Sequence, residues 1–123
     1  MRLLFVEDNV AFRKTVLQEF LGGHEVTCAG SLLEARRQVA TGSFDAVLLD
    51  YDLPDGKGEE LIPDLLAAGL EGRIVATSAF GENNVRLLLA GASATVRKAD
   101  FRSVGAILSR IQSLGNTTSA DHP

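Results

Sequence analysis

Tryptophan is absent from this 123-residue chain, which carries a single tyrosine, a single methionine and a single cysteine. One cysteine, Cys28, excludes an internal disulfide and any metal site built on several thiolates. Basic charge is in short supply too, with 12 Lys and Arg against 16 Asp and Glu, a net charge of −4. No basic cluster offers the footprint that nucleic acid or an anionic membrane surface requires. Long apolar runs are also missing. The opening RLLFV has four apolar residues after Arg2, too few for a signal-peptide core, and an uncharged stretch such as Leu87–Val96 stops at ten residues. These absences lead us to expect a cytoplasmic protein that binds neither nucleic acid nor membrane.

What remains is an ordinary globular balance, 46% hydrophobic and 23% charged, in a length that suits one domain with a real core. Short apolar runs alternate with helical patterns. RLLFV (2–6), HEVTCA (24–29), FDAVLL (44–49), RIVATS (73–78) and ATV (94–96) read as strands. Asn9 is placed to cap a first helix, in which Phe12, Val16, Leu17 and Phe20 share a face. Ser31 and Glu34 have capping-box spacing for a second. Further helices are expected over about 58–68, over 81–91, where Leu87, Leu88 and Leu89 are expected to be core, and after residue 100, the last with Phe101, Val104, Ile107, Leu108, Ile111 and Leu114 on the helical period. The ending GNTTSADHP (115–123) has no periodicity and is expected to be a tail or the start of a linker.

Five strands, each followed by a helix, predict an α/β (βα)5 fold, an open parallel sheet with helices on both faces. The unbroken run Ala46–Leu49 suits a strand covered on both sides. In such sheets chemistry collects beyond the carboxyl ends of the strands. Glu7 and Asp8 follow the first strand, Asp50 the third, Thr77 and Ser78 close the fourth, and Arg97 and Lys98 follow the fifth. Taken singly, an acidic pair can merely favour a helix N-terminus, a serine can cap a turn and a lysine can be solvated. Taken together they are a different matter. Three neighbouring carboxylates repel unless a cation joins them, and hard oxygen ligands suit Mg2+. Glu7, Asp8 and Asp50 contribute −3, and Mg2+ with Lys98 contributes +3, leaving a neutral site for an incoming phosphoryl group.

The motifs FVEDN, DAVLLDYDLPDGKG, IVATSA and GASATVRK resemble the receiver domain of two-component response regulators over Arg2 to about Leu114. The resemblance implies a flavodoxin-like three-layer sandwich with strand order 2-1-3-4-5, a receiver unit over residues 1–114, and a phosphoryl-accepting switch rather than an enzyme. It implies phosphorylation of Asp50 by a histidine kinase or histidine phosphotransfer protein. Glu7, Asp8, Asp50 and the backbone carbonyl of Asp52 are then the Mg2+ ligands. Ser78 is the switch hydroxyl, Lys98 the phosphoryl-pairing lysine, and Asp52 and Phe80 occupy the positions that modulate phosphoryl lifetime. A downstream protein or a tethered output domain completes the expectation, with output through the fourth helix, fifth strand and fifth helix.

Two departures from that pattern concern the output switch: Thr95 stands where the family commonly has an aromatic ring, and Ala99 where it has proline. They keep open a pseudo-receiver that binds partners without phosphorylation. The DYD of Asp50–Asp52 also resembles the nucleophile motif of haloacid-dehalogenase-type phosphatases, but only Asp100 and Asp121 follow Lys98 to supply that family's acidic pair. A flavodoxin-type nucleotide binder would need a phosphate-cradling loop where this chain has repelling Glu7 and Asp8. A haloacid-dehalogenase-type phosphatase would turn over p-nitrophenyl phosphate many times, whereas we expect no multiple turnover here.

Overall fold

The computed structural model describes the backbone of residues 1–120 and side chains through Leu114. The main sheet contains β1 (Arg2–Val6), β2 (Glu25–Ala29), β3 (Ala46–Leu49), β4 (Ile74–Ala76) and β5 (Ala94–Thr95). All neighbouring pairs are parallel and the order is β2-β1-β3-β4-β5, the order expected. The helices are α1 (Val10–Glu19), α2 (Leu32–Thr41), α3 (Ile62–Ala67), α4 (Gly81–Ala90) and α5 (Val104–Ala120). The last helix is thus described six residues past Leu114, into the stretch that lacks hydrophobic periodicity, and residues 121–123 lie outside the described residues.

Every residue of β3 is buried, because alternate side chains feed two separate cores. Val47 and Leu49 join Leu4, Val6, Leu32, Leu61, Ile62, Leu65 and Leu87 on the face covered by α2, α3 and α4. Ala46 and Leu48 join Leu3, Phe5, Val16, Phe101, Val104 and Leu108 on the face covered by α1 and α5. On that second face Phe101 meets Phe5, Phe12 and Phe20 with ring centroids 6.2, 5.5 and 5.8 Å away. Edge-on and tilted geometries of this kind suit the ring quadrupole.

Local chemistry explains the helix starts. Asn9 Oδ1 accepts the Phe12 N–H at 2.9 Å, as expected of a capping residue. Ser31 Oγ likewise accepts from Glu34 N–H at 3.1 Å, but the Glu34 carboxylate returns to the Gly30 N–H rather than to Ser31. Asp55 reinforces the same helix from a distant loop, accepting the N–H groups of Leu32 and Leu33 at 2.8 and 3.0 Å. These bonds hold the Asp55 carboxyl below its ordinary pKa.

Three details differ from the sequence reading. Asp52–Leu53 and Gly56–Lys57 form a short antiparallel hairpin, too brief to leave a periodic signal. The expected third helix begins as a 3-10 turn at Gly58–Leu61, and Lys98–Ser103 forms 3-10 turns broken at Asp100, whose backbone is not helical, before α5 begins. Of the consecutive Leu87, Leu88 and Leu89, expected to be core, only Leu87 is buried and Leu89 is 83% exposed. A helix advances about 100° per residue, so three successive side chains cannot all face one core.

Gly58 closes the loop beyond β3. Its N–H donates to the Tyr51 carbonyl at 2.6 Å, and a Cβ built on it would lie 2.1 Å from the Asp50 carbonyl oxygen. Backbone against backbone cannot yield locally, so Gly58→Ala should destabilise the fold by about 2–3 kcal/mol. Chemical denaturation checks this; a change below about 0.5 kcal/mol would mean that the loop is free to move away.

Candidate active site at the carboxyl edge of the sheet

The strand register builds the site. Ala29, Val6, Leu49, Ala76 and Thr95 form one row across the sheet. One residue further along three adjacent strands stand Glu7, Asp50 and Thr77. The Glu7 N–H is paired to Ala29, Asp50 N–H to Val6 and Thr77 N–H to Leu49, at 2.9, 3.1 and 2.9 Å. The sheet ladder therefore fixes the backbone of Glu7 and Asp50 before any side-chain contact is made.

Glu7 and Asp50 are both buried, whereas Asp8 is exposed. One carboxylate oxygen from each of Glu7, Asp8 and Asp50 lies within 4.8 Å of the other two, so one small cation could touch all three. Lys98 Nζ sits 2.7 Å from Glu7 Oε1 and 3.0 Å from Asp50 Oδ2. It also lies 4.9 Å from the centroid of the Phe12 ring, on which the ammonium rests. Asp50 Oδ1 accepts the Tyr51 N–H at 2.8 Å, and Glu7 Oε2 accepts the Asn9 N–H at 3.0 Å. Glu7 Oε1 is fully buried and has the ammonium beside it without an aligned hydrogen bond. Buried carboxylates that meet with one ammonium between two of them are an environment that a hard divalent cation fits.

Burial pushes the Asp50 carboxyl above its ordinary pKa; Lys98 and the Tyr51 N–H offset this only in part, and Asp8 adds to it. Glu7 is raised by burial first, with Lys98 pulling it down and Asp50 pushing it up. For Lys98, burial acts against the ammonium, but the contacts with Glu7 and Asp50 outweigh it, so its pKa is raised. One lysine thus serves two buried carboxylates.

The cleft has a volume of about 250 Å³ and is lined by Glu7, Asp8, Asn9, Asp50, Asp52, Ser78, Ala79, Phe80 and Lys98. All seven residues singled out from the sequence, Glu7, Asp8, Asp50, Asp52, Ser78, Phe80 and Lys98, therefore share one concavity. Their poses differ. The Asp52 side chain is exposed and engages Lys57 across the hairpin. Phe80 is 60% exposed at the rim, and Ser78 is buried with its Oγ accepting the Phe80 N–H at 3.2 Å. Asp100, needed by the phosphatase reading, is instead an exposed partner of Arg102 at 3.1 Å, and Asp121 lies outside the described residues.

Two features escaped the sequence reading. Tyr51, next to Asp50, donates its hydroxyl to Glu59 at 2.9 Å beneath the hairpin. Asn84, on α4, is 4% exposed and bonds to the backbone of Ser78. Strand ends mark Glu7, Asp50, Ser78 and Lys98, and the family motifs mark Asp52 and Phe80; neither Tyr51 nor Asn84 carries either mark.

A model of the response regulator receiver domain matches residues 3–109. This chain belongs to that family. Among curated relatives it is 33% identical over 104 residues to the DNA-binding transcriptional activator DevR/DosR of Mycobacterium tuberculosis, covering 80% of this chain and 48% of the relative. It is 32% identical over 85 residues to the transcriptional regulatory protein DpiA of Escherichia coli strain K12, covering 67% and 38%. The chain thus spans less than half the length of these relatives. A receiver domain protein (CheY-like) from Methanospirillum hungatei superposes with a TM-score of 0.79 at 25% identity, covering 94% of this chain and 97% of that one. The receiver domain of the sensor histidine kinase PA1611 from Pseudomonas aeruginosa, solved with a magnesium ion coordinated in its active site cleft, gives 0.74 at 28%, covering 89% and 92%.

The receiver's crowded anions have a measurable consequence. A carboxyl whose folded pKa is raised costs stability fully above that folded value and not at all below its unfolded value. Asp50→Asn leaves Lys98 with one buried partner and should stabilise the metal-free protein by the order of 1 kcal/mol at pH 7. Thermal unfolding should show a rise of a few degrees that fades as the pH is lowered through the folded pKa toward the ordinary aspartate range. A lower melting temperature for Asp50→Asn at pH 7 would mean that the Asp50–Lys98 contact is worth more than the crowding costs.

Proposed function

We propose that this receiver is a phosphoryl-accepting switch of a two-component or phosphorelay system, modified on Asp50 with Mg2+. The observation that carries the reading is the meeting of Glu7, Asp8 and Asp50 within 4.8 Å, with Lys98 on the Asp50 carboxylate. The related PA1611 receiver, with magnesium in its cleft, supports the choice of metal. The donor is a phosphohistidine of a histidine kinase or histidine phosphotransfer protein. The setting is the cytoplasm; among the described residues no helix is long and apolar enough to cross a membrane. Residues 1–114 form the working unit, acting on a downstream protein or a tethered output domain.

Each residue has a definable part. An Asp50 carboxylate oxygen attacks phosphorus in line with the P–N bond, which breaks. The departing nitrogen keeps the bonding pair, and a proton already on the ring's other nitrogen lets it leave as neutral imidazole. Bound Mg2+, held by Glu7, Asp8, Asp50 and the Asp52 backbone carbonyl, would neutralise charge on the phosphoryl oxygens. Lys98 is held by Glu7 and Asp50 where a phosphoryl oxygen would arrive, and its raised pKa keeps it charged. Ser78 Oγ accepts from Phe80 N–H, which leaves its own hydrogen to donate to a phosphoryl oxygen. Phe80 at the rim limits the approach of water, and Asp52 places negative charge there, tempered by Lys57.

Intact mass spectrometry after incubation with Mg2+ and a small phosphodonor tests the reading. One added phosphoryl group is expected, absent from Asp50→Asn and from a metal-free control. No addition to folded wild type with several donors would favour the pseudo-receiver, for which Thr95 and Ala99 are the motive. Phe80→Ala should shorten the lifetime of the phosphorylated form several-fold when decay of the added mass is followed. An unchanged decay rate would remove Phe80 from the shielding role.

A further inference from the structure

The main chain at Ser78 is held in an unusual way. β4 ends at Ala76, and the last ladder bonds there are Thr77 N–H to Leu49 and Val96 N–H to Ala76. Ser78 is beyond the ladder yet only 3% exposed, so its peptide groups need partners other than water. One side chain supplies both. Asn84 Oδ1 accepts the Ser78 N–H at 2.9 Å, and Asn84 Nδ2 donates to the Ser78 carbonyl at 3.3 Å. The amide thus imitates a neighbouring strand for a single residue. Asn84 itself is placed by α4, where its N–H donates to the Phe80 carbonyl at 3.2 Å; Phe80 offers that helix no side-chain cap.

The two bonds fix the Ser78 backbone but leave its side-chain torsion free. The hydroxyl can then turn from Phe80 N–H toward the cleft without any movement of the main chain that carries it. We propose that Asn84 is a positioning residue for phosphoryl acceptance, holding Ser78 so that its hydroxyl meets the phosphoryl oxygen on Asp50. The inference rests on the proposed acceptor role of Asp50. Asn84 itself does not line the cleft and touches no reacting atom. Its effect passes entirely through Ser78.

A double-mutant cycle separates this from a merely structural role. Wild type, Asn84→Ala, Ser78→Ala and the double variant are phosphorylated with phosphoramidate at saturating Mg2+, followed by intact mass. Mg2+ affinity is measured in parallel from the fluorescence of the single tyrosine, Tyr51, beside Asp50. Asn84→Ala should slow acceptance by about ten- to a hundredfold, a misplacement effect, with Mg2+ affinity within about twofold of wild type. The double variant should be no slower than Ser78→Ala, because Asn84 has nothing left to position. Should Asn84→Ala fail to fold, Asn84→Asp replaces it: it keeps the acceptor for Ser78 N–H, loses the donor to the Ser78 carbonyl, and should be slower than wild type. Wild-type speed in a folded Asn84 variant, or multiplied effects in the double variant, would overturn the proposal. If wild type itself gains no mass, the acceptor reading fails and this inference falls with it.

Discussion

The structure turns on one shortage, a single ammonium for two buried carboxylates. Glu7 and Asp50 stand side by side just past the ends of β1 and β3 because the parallel register pairs the residues before them, Val6 and Leu49. Lys98 reaches both, at 2.7 and 3.0 Å, and the nearby Asp8 adds a third negative charge. A protein selected only for stability would replace such a group with apolar side chains. Retaining it leaves the apo fold strained in charge and ready to gain from a divalent cation and from chemistry that redistributes negative charge. The fold around it supplies what that arrangement demands. A strand buried on both faces prevents Asp50 from retreating into water, and Gly58 allows the following loop to close over its carbonyl.

Much of this was legible in the sequence, and for a physical reason. The continuous run Ala46–Leu49 suits a strand covered twice, and its place among five alternating strands and helices points to a parallel sheet with helices on both faces. Parallel strands all end on one side, which is why Glu7, Asp50, Ser78 and Lys98 could be assigned to a single rim without coordinates. Hydrogen-bonding side chains next to helix starts, Asn9 and Ser31, were equally readable because capping is local.

The remainder depends on contacts that sequence spacing does not encode. Asn83 and Asn84 are adjacent and chemically identical, yet only Asn84 turns inward to the Ser78 backbone. Nothing local separates them; the phase of α4 against β4 does. The triple leucine of α4 misled for the same reason, since the phase that buries Leu87 exposes Leu89. The Asp52–Leu53 hairpin is set by the pairing of four residues, shorter than any periodicity can reveal. That hairpin also gives Asp52 a partner in Lys57, so the charge at the cleft mouth is smaller than the sequence alone implied.

The most direct measurement is to trap the modified residue chemically. Borohydride reduces an acyl phosphate to an alcohol, so the phosphorylated protein treated in this way should carry homoserine in place of Asp50, located by peptide mass spectrometry. Homoserine at position 50, dependent on Mg2+ and phosphodonor, is the result predicted. Reduction at Asp8, Asp52 or another carboxyl, with Asp50 intact, would contradict the central claim that this buried strand exists to present Asp50 as the acceptor.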